Sequence, residues 1–469
     1  MMKKKGFLII NILVLLAIAS LTNPVLATVS KSSFARTYTG PSGFEATSIQ
    51  QTNDGGFIVA GLADGVGILK QTWLLRLDSA GLILWQKAYG SMDVAADGSM
   101  AGFGGPTVKD SPDGEFVVAS STMVSSDVAA WIFKVDASGS LLWQEAFTGD
   151  GAASARSIDA APDGGYVAVA ATIVPNVTFG ETRTLVVKLD ENGDVMWQHI
   201  YNGSGITAAP DSIAHTNDGG FVVAGQTFPA DPWMLRLDSM GRVVWERVWD
   251  AGVGSELTSV QQTSDMGFVA AGYLWSYGQS SVSKNMVVLK LDQAGNQTWV
   301  KTYGVGSVWA SAFSVQPTSD GDYVVVGSVG YFRPFMASAV VIRLDSSGNI
   351  LWQKYFDTSS QFGIGANTVI QTHNGKFVIA GTITIYSNST LGTETVQAWV
   401  LGLNRNGQAG DCSLVSDSNL VVTSTNLKMV AFAASAIDVT STPVKTVSAP
   451  ESTSALASTS CPAEEDRND

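Results

Sequence analysis

Positive charge is scarce in this chain. Its 469 residues carry 27 Lys and Arg against 41 Asp and Glu, a formal net charge of -14. Binding to phosphate backbones or anionic lipid heads rests on basic side chains neutralising negative charge, so nucleic acid is excluded as a partner. Histidine is scarcer still. His199, His215 and His373 are the only three, and none stands at metal-ligand spacing from another His or from a Cys. The sequence therefore implies no metal and no cofactor. Cysteine is limited to Cys412 and Cys461. Beyond the first thirty residues no apolar run approaches the ~20 residues that a membrane-spanning helix needs.

What is present begins with an export signal. Lys3, Lys4 and Lys5 form a basic start, Phe7 to Leu21 an apolar run, and Val25-Leu26-Ala27 a small-residue cleavage site. Residues 1–27 are expected to be removed, an uncleaved anchor being the alternative, and the chain is expected to be secreted, extracellular or at the cell surface. Hydrophobic residues make up 45% of the chain, glycine contributes 48 positions and charged residues only 14%. That composition suits a fold of many short strands and tight turns.

Self-comparison settles the architecture. The phrase from Ser48 to Gly61 returns in edited form from Thr107, Ser157, Ser212, Ser259, Ser314 and Thr368, and each copy is followed by a second phrase of the type Leu75 to Gly90. Each copy holds four strand-length runs. Turns of the Asn53-Asp54-Gly55-Gly56 type reverse the first run into the second, because Asp or Asn bonds nearby backbone and Gly supplies positive φ. Asp-x-x-Gly turns join the third run to the fourth, which carries Trp85, Trp143, Trp197, Trp245, Trp299 or Trp352. These are blades of an all-β, seven-bladed β-propeller with four-stranded blades. The seventh copy stops after Asn404 without a Trp strand, and Phe34 to Gly40 aligns with that missing piece, so the N-terminal strand is expected to complete blade seven and close the ring. The propeller then spans 28–411.

On these motifs the chain resembles a broad group of secreted bacterial and archaeal β-propeller repeat proteins, over roughly Phe34 to Asp411. Its Trp strand is distantly similar to the tryptophan-docking repeat of quinoprotein-type propellers, but the Thr of that repeat is absent from every copy. The resemblance implies a fold and little about activity. Residues 412–469 form a Ser/Thr-rich tail bounded by the two cysteines, as in proteins of this group. It reads as a small β appendage or a flexible stalk. An exported chain meets oxidising conditions, so a Cys412–Cys461 disulfide is expected, with free or intermolecular thiols as the alternative.

The short, nearly constant turns define a plain lower face, while the long variable connections gather on the opposite one, where binding residues usually sit. Aromatic residues fall there: Trp275, Tyr277, Trp309, Tyr331, Phe332, Phe335 and Tyr386, from three neighbouring blades. They form a candidate patch for a glycan or an extracellular protein. No catalytic residue is assigned. The Arg76, Lys134, Lys188, Arg236, Lys290 and Arg343 column repeats too regularly to be an anion site, and the Asp54 and Asp78 columns read as turn formers. The leading expectation is a non-enzymatic binding propeller. The alternatives are a propeller enzyme, quinoprotein-like dehydrogenase or glycan hydrolase or lyase, and a structural surface-layer or matrix component.

Overall fold

The computed structural model describes residues 34–409 apart from loop segments 40–42, 65–68, 94–104, 125–126, 149–150, 174–181, 204–206, 228–230, 252–253, 278–281, 305–307, 331–336, 357–361 and 387–393. In the tail it describes 415–417, 421–424, 428–431, 434–438, 451–452 and 456–459. The expected export signal, Cys412 and Cys461 lie outside the described residues.

Seven antiparallel sheets form the ring: blade 1 (44–93), blade 2 (107–147), blade 3 (153–203), blade 4 (208–250), blade 5 (256–304), blade 6 (309–356) and blade 7 (362–403). In blades 1 to 6 the chain supplies four consecutive strands from the channel outward. Blade 7 supplies three, and Ala35–Thr39 pairs with Glu394–Leu403 as the fourth, in the register Ala35 with Leu401 and Tyr38 with Ala398. Phe34 occupies the Trp place, its ring lying against Gly81 of blade 1 as Trp85 lies against Gly139 of blade 2. The N-terminal strand closes the ring.

Each interface between blades is a separate hydrophobic core built from the alternating inward residues of both sheets. The outer-strand Trp residues cap these seams. The indole nitrogens of Trp85, Trp197, Trp299 and Trp352 donate to backbone carbonyls of Ala137, Ser239, Ser346 and Arg405 in the next blade, at 2.8 to 3.1 Å. Positive φ at Gly139, Gly193, Gly241, Gly295, Gly348 and Gly407 lets each turn pass under the ring, where a Cβ would collide with it.

The repeated cations serve the scaffold. Arg76, Lys134, Lys188, Arg236, Lys290 and Arg343 each reach the hairpin-turn carboxylate of their own blade, at 2.5 to 3.2 Å.

The tail adds strands to this ring. Val415–Asp417 pairs with the outer strand of blade 6, Val421–Ser424 with blade 5, Lys428–Ala431 with blade 4 and Ala434–Asp438 with blade 3. Glu451–Ser452 then pairs with blade 1, and Leu456–Thr459 with Ala35–Thr39 of blade 7. The chain thus runs back around the ring as a belt of short fifth strands, opposite in order to the blades. Six sheets have five strands, and blade 2 has four among the described residues. An unpaired outer strand exposes a row of N–H and C=O groups, and the belt satisfies part of that row.

Candidate functional site

The innermost strands wall a channel cavity of about 570 Å³ that touches all seven blades. Six of these strands carry a β-bulge at the same level, and the extra residue of each lines the cavity: Thr47, Arg156, Asp211, Thr258, Phe313 and Asn367. The bulge also accounts for a glycine column. A Cβ on Gly272 would overlap the carbonyl oxygen of Glu256 across the strand pair, and Gly61, Gly225, Gly327 and Gly381 meet the same crowding.

Three bulge residues stitch blades together. Thr47 Oγ1 donates to Pro106 O at 2.6 Å, Thr258 Oγ1 to Ala312 O at 3.0 Å and Asn367 Nδ2 to Ala46 O at 2.8 Å. Blades 3 and 4 place charge at this level instead. Arg156 Nη1 stands 3.6 Å from Asp211 Oδ1, both side chains largely buried. Glu256, the first residue of the inner strand of blade 5, lines the same wall and accepts a hydrogen bond from the Tyr273 hydroxyl. Burial raises the Asp211 carboxyl well above the ordinary carboxylate range, the neighbouring Glu256 charge adds to the shift, and Arg156 only partly offsets it. Asp211 therefore gives up its proton less readily than an ordinary carboxyl, beside a second carboxyl group. Burial, and then Glu256, likewise push the Tyr273 hydroxyl up.

Lys284 completes this wall. Its ammonium lies 3.5 Å from the Tyr273 ring centroid and 5.4 Å from that of Trp275. Burial pulls its pKa down to about 8, with Glu256 acting in the opposite direction. Trp275 meets Trp309 of blade 6 edge to face, with centroids 4.6 Å apart. Glu256, Trp275, Lys284 and Trp309 lie at or near the ends of their strands away from the short turns, on the long-loop side, while Arg156, Asp211 and Tyr273 stand toward mid-strand.

A second charged group lies deeper, toward the turns. Asp159 accepts from Lys109 of blade 2 at 3.0 Å and from His215 Nδ1 of blade 4 at 2.8 Å, and the His215 backbone N–H donates to it as well. Against the desolvation of full burial, the Lys109 charge and the His215 bonds hold Asp159 below its ordinary pKa. The hydrogen bond to Asp159 raises His215. This triad ties three blades. Among the described residues, no three His, Cys, Asp or Glu side chains gather as a metal site would require.

Of the aromatic residues singled out from sequence, the structure brings Trp275 and Trp309 together beside the cavity. Tyr277 and Tyr386 end their strands, with side chains outside the described residues. Tyr331, Phe332 and Phe335 also lie outside them. Sequence reading passed over Arg156, Asp211, Glu256, Tyr273 and Lys284. The available signal was their departure from the repeat: Asp211 and Arg156 stand where other copies have Thr47, Thr258 or Asn367, and Tyr273 where blade 1 has Leu62.

No known protein-family model matches the chain, and no curated protein matches it in sequence. Among solved structures it is similar to the polysaccharide lyase Uly1, at 10% identity and a TM-score of 0.48 over 76% of this chain and 90% of that one. It is also similar to a protein of unknown function from Dyadobacter fermentans DSM 18053, at 11% identity and a TM-score of 0.42, over 80% of this chain and 100% of that one. A third is a subtype N11 neuraminidase-like protein of A/flat-faced bat/Peru/033/2010 (H18N11), at 8% identity and a TM-score of 0.41, over 79% and 90%. At these identities none of them bears on activity.

Proposed function

We propose that this chain is a glycan-binding propeller, working outside the cell or at its surface, that takes its ligand at the long-loop mouth of the channel against blades 3 to 6. The observation that carries the reading is the Trp275–Trp309 pair, which adjoins through Lys284 a cavity floored by Arg156, Asp211, Glu256 and Tyr273. Indole faces suit the apolar faces of sugar rings. Buried carboxyl, hydroxyl and guanidinium groups suit their hydroxyls, and a site built to hydrogen-bond a hydroxyl rejects ligands that lack it. Arraying immobilised glycans against the purified protein tests the reading. Binding is expected to fall at least about tenfold when Trp275 or Trp309 becomes Ala, which corresponds to about 1.4 kcal/mol. Unchanged binding in both variants removes the site.

A glycan hydrolase or lyase is the second reading. Its support is the placement of Asp211, whose carboxyl pKa burial raises, beside Glu256 and Tyr273, because a perturbed carboxyl next to a second one in a cleft suits acid and base roles. New reducing or unsaturated ends, released by the parent protein and not by the Glu256→Gln variant, would support it over binding alone.

A further inference from the structure

Lys284 differs from the other inward cations in what it faces. The repeated column from Arg76 to Arg343 is held by carboxylates, and so are Lys109 by Asp159 and Lys70 by Glu45. Lys284 instead lies on ring faces of its own blade, Tyr273 and Trp275, and lines the channel cavity. Glu256 acts on it through space, and among the described residues no carboxylate comes within ion-pair distance. The ring faces return only part of the hydration that burial removes. An amine in such a setting gives up its proton more readily than one in water, and the cavity leaves room for a partner above it.

We propose that the Lys284 amine is a covalent capture site for small polyhydroxy aldehydes, with which it forms a reversible imine at the channel mouth. The free amine attacks the aldehyde carbon with its lone pair, and a C–N bond forms as the carbonyl π bond opens onto oxygen. Asp211 and Glu256 line the same cavity as Lys284 and can relay protons. Nitrogen loses two protons, oxygen gains two and leaves as water, and the C=N bond is made without any net oxidation or reduction. The polar walls suit a hydroxylated aldehyde rather than an alkyl one. This capture goes beyond glycan binding and does not depend on it.

The test is reductive trapping on the full, unsubstituted chain, so no variant has to fold. Glyceraldehyde and sodium cyanoborohydride are added at pH 7.5 and modified lysines are mapped by peptide mass spectrometry. An amine titrating near 8 offers roughly two-hundredfold more free base at that pH than one near 10.5. Lys284 is expected to be modified at least about tenfold faster than Lys87, Lys301 and Lys354 of the outer strands, allowing for the lower nucleophilicity of a weaker base and for slower entry. Its rate should level off above about pH 8. Modification no faster than at those lysines, or a rate that keeps climbing to pH 10, overturns the proposal. Because no glycan is present, either outcome leaves the Trp275–Trp309 reading to its own test.

Discussion

The hydroxyl of Tyr38 donates a hydrogen bond to the backbone carbonyl of Gly81, 2.9 Å away, across the seam between blade 7 and blade 1. Three other seams carry the same bond: Tyr89 to Gly139, Tyr201 to Gly241 and Tyr303 to Gly348, at 2.5 to 2.8 Å. A strand from the far end of the chain thus makes the contact that blades 1, 3 and 5 make with their neighbours. Ring closure rests on the same chemistry as the rest of the ring.

Replacing Tyr38 by Phe should cost about 1 kcal/mol, the net worth of one buried hydrogen bond, with the ring packing kept. Deleting residues 28–40 should cost far more, because the Glu394–Leu403 edge and the Leu456–Thr459 strand of the belt both lose their partner. Urea unfolding of the two variants separates these effects. Equal midpoints for the deletion and the parent would contradict closure by this strand.

Met266 has φ of 65° in a hairpin turn where the other six blades use glycine, among them Gly55, Gly219 and Gly321. A side chain in the left-handed region costs roughly 1 kcal/mol. Met266→Gly should therefore raise the unfolding free energy by about 0.5 to 1 kcal/mol. Loss of the Asn217 contact to the Met266 sulfur trims the gain.

His215 makes stability depend on pH in a defined direction. Its folded pKa is raised by the bond to Asp159. The stabilisation is therefore complete below the unfolded value near 6.5 and fades as pH rises through the folded value. Thermal unfolding of His215→Gln against the parent should show its largest deficit near pH 5.5, shrinking toward pH 9. A deficit that grows with pH would contradict the assignment.

Asp211 runs the other way as a mutational target. A carboxyl whose folded pKa lies well above its unfolded one loses stability as pH rises from the unfolded value toward the folded one, because the unfolded chain ionises first while burial and Glu256 oppose ionisation in the fold. Asp211→Asn mimics the protonated form. The variant should match the parent at low pH and melt higher than it as pH rises toward 9. A substitution that stabilises the fold while weakening ligand binding marks a group kept for function.

The ring itself was legible because a repeat displays each structural demand seven times. Phe34 in the Trp column and Tyr38 in the Tyr column were enough to place the closing strand, and the turn positions of Gly139 and its equivalents followed from their spacing to Asp. The belt was not legible in the same way. Glu451–Ser452 is two residues long and Val415–Asp417 three, and such strands are held by backbone bonds to an outer strand without any side-chain signature. The site was hidden for a third reason. A bulge adds one residue and turns Arg156 and Asp211 toward the channel at positions that simple alternation assigns differently, and only strand pairing sets Glu256 opposite Tyr273. Trp275 and Trp309 were visible as irregular aromatic residues, but their contact depends on two blades meeting.

Function on this account resides where the repeat is broken, at the mouth between blades 3 and 6. Hydrogen–deuterium exchange with and without the glycan that binds best on the array locates the ligand most directly. The account predicts slower exchange in peptides containing Glu256, Tyr273 to Trp275 and Lys284, with the lower-face turns and the outer belt unchanged. Protection confined to those turns or to the belt, with none around Glu256 and Tyr273, would contradict it.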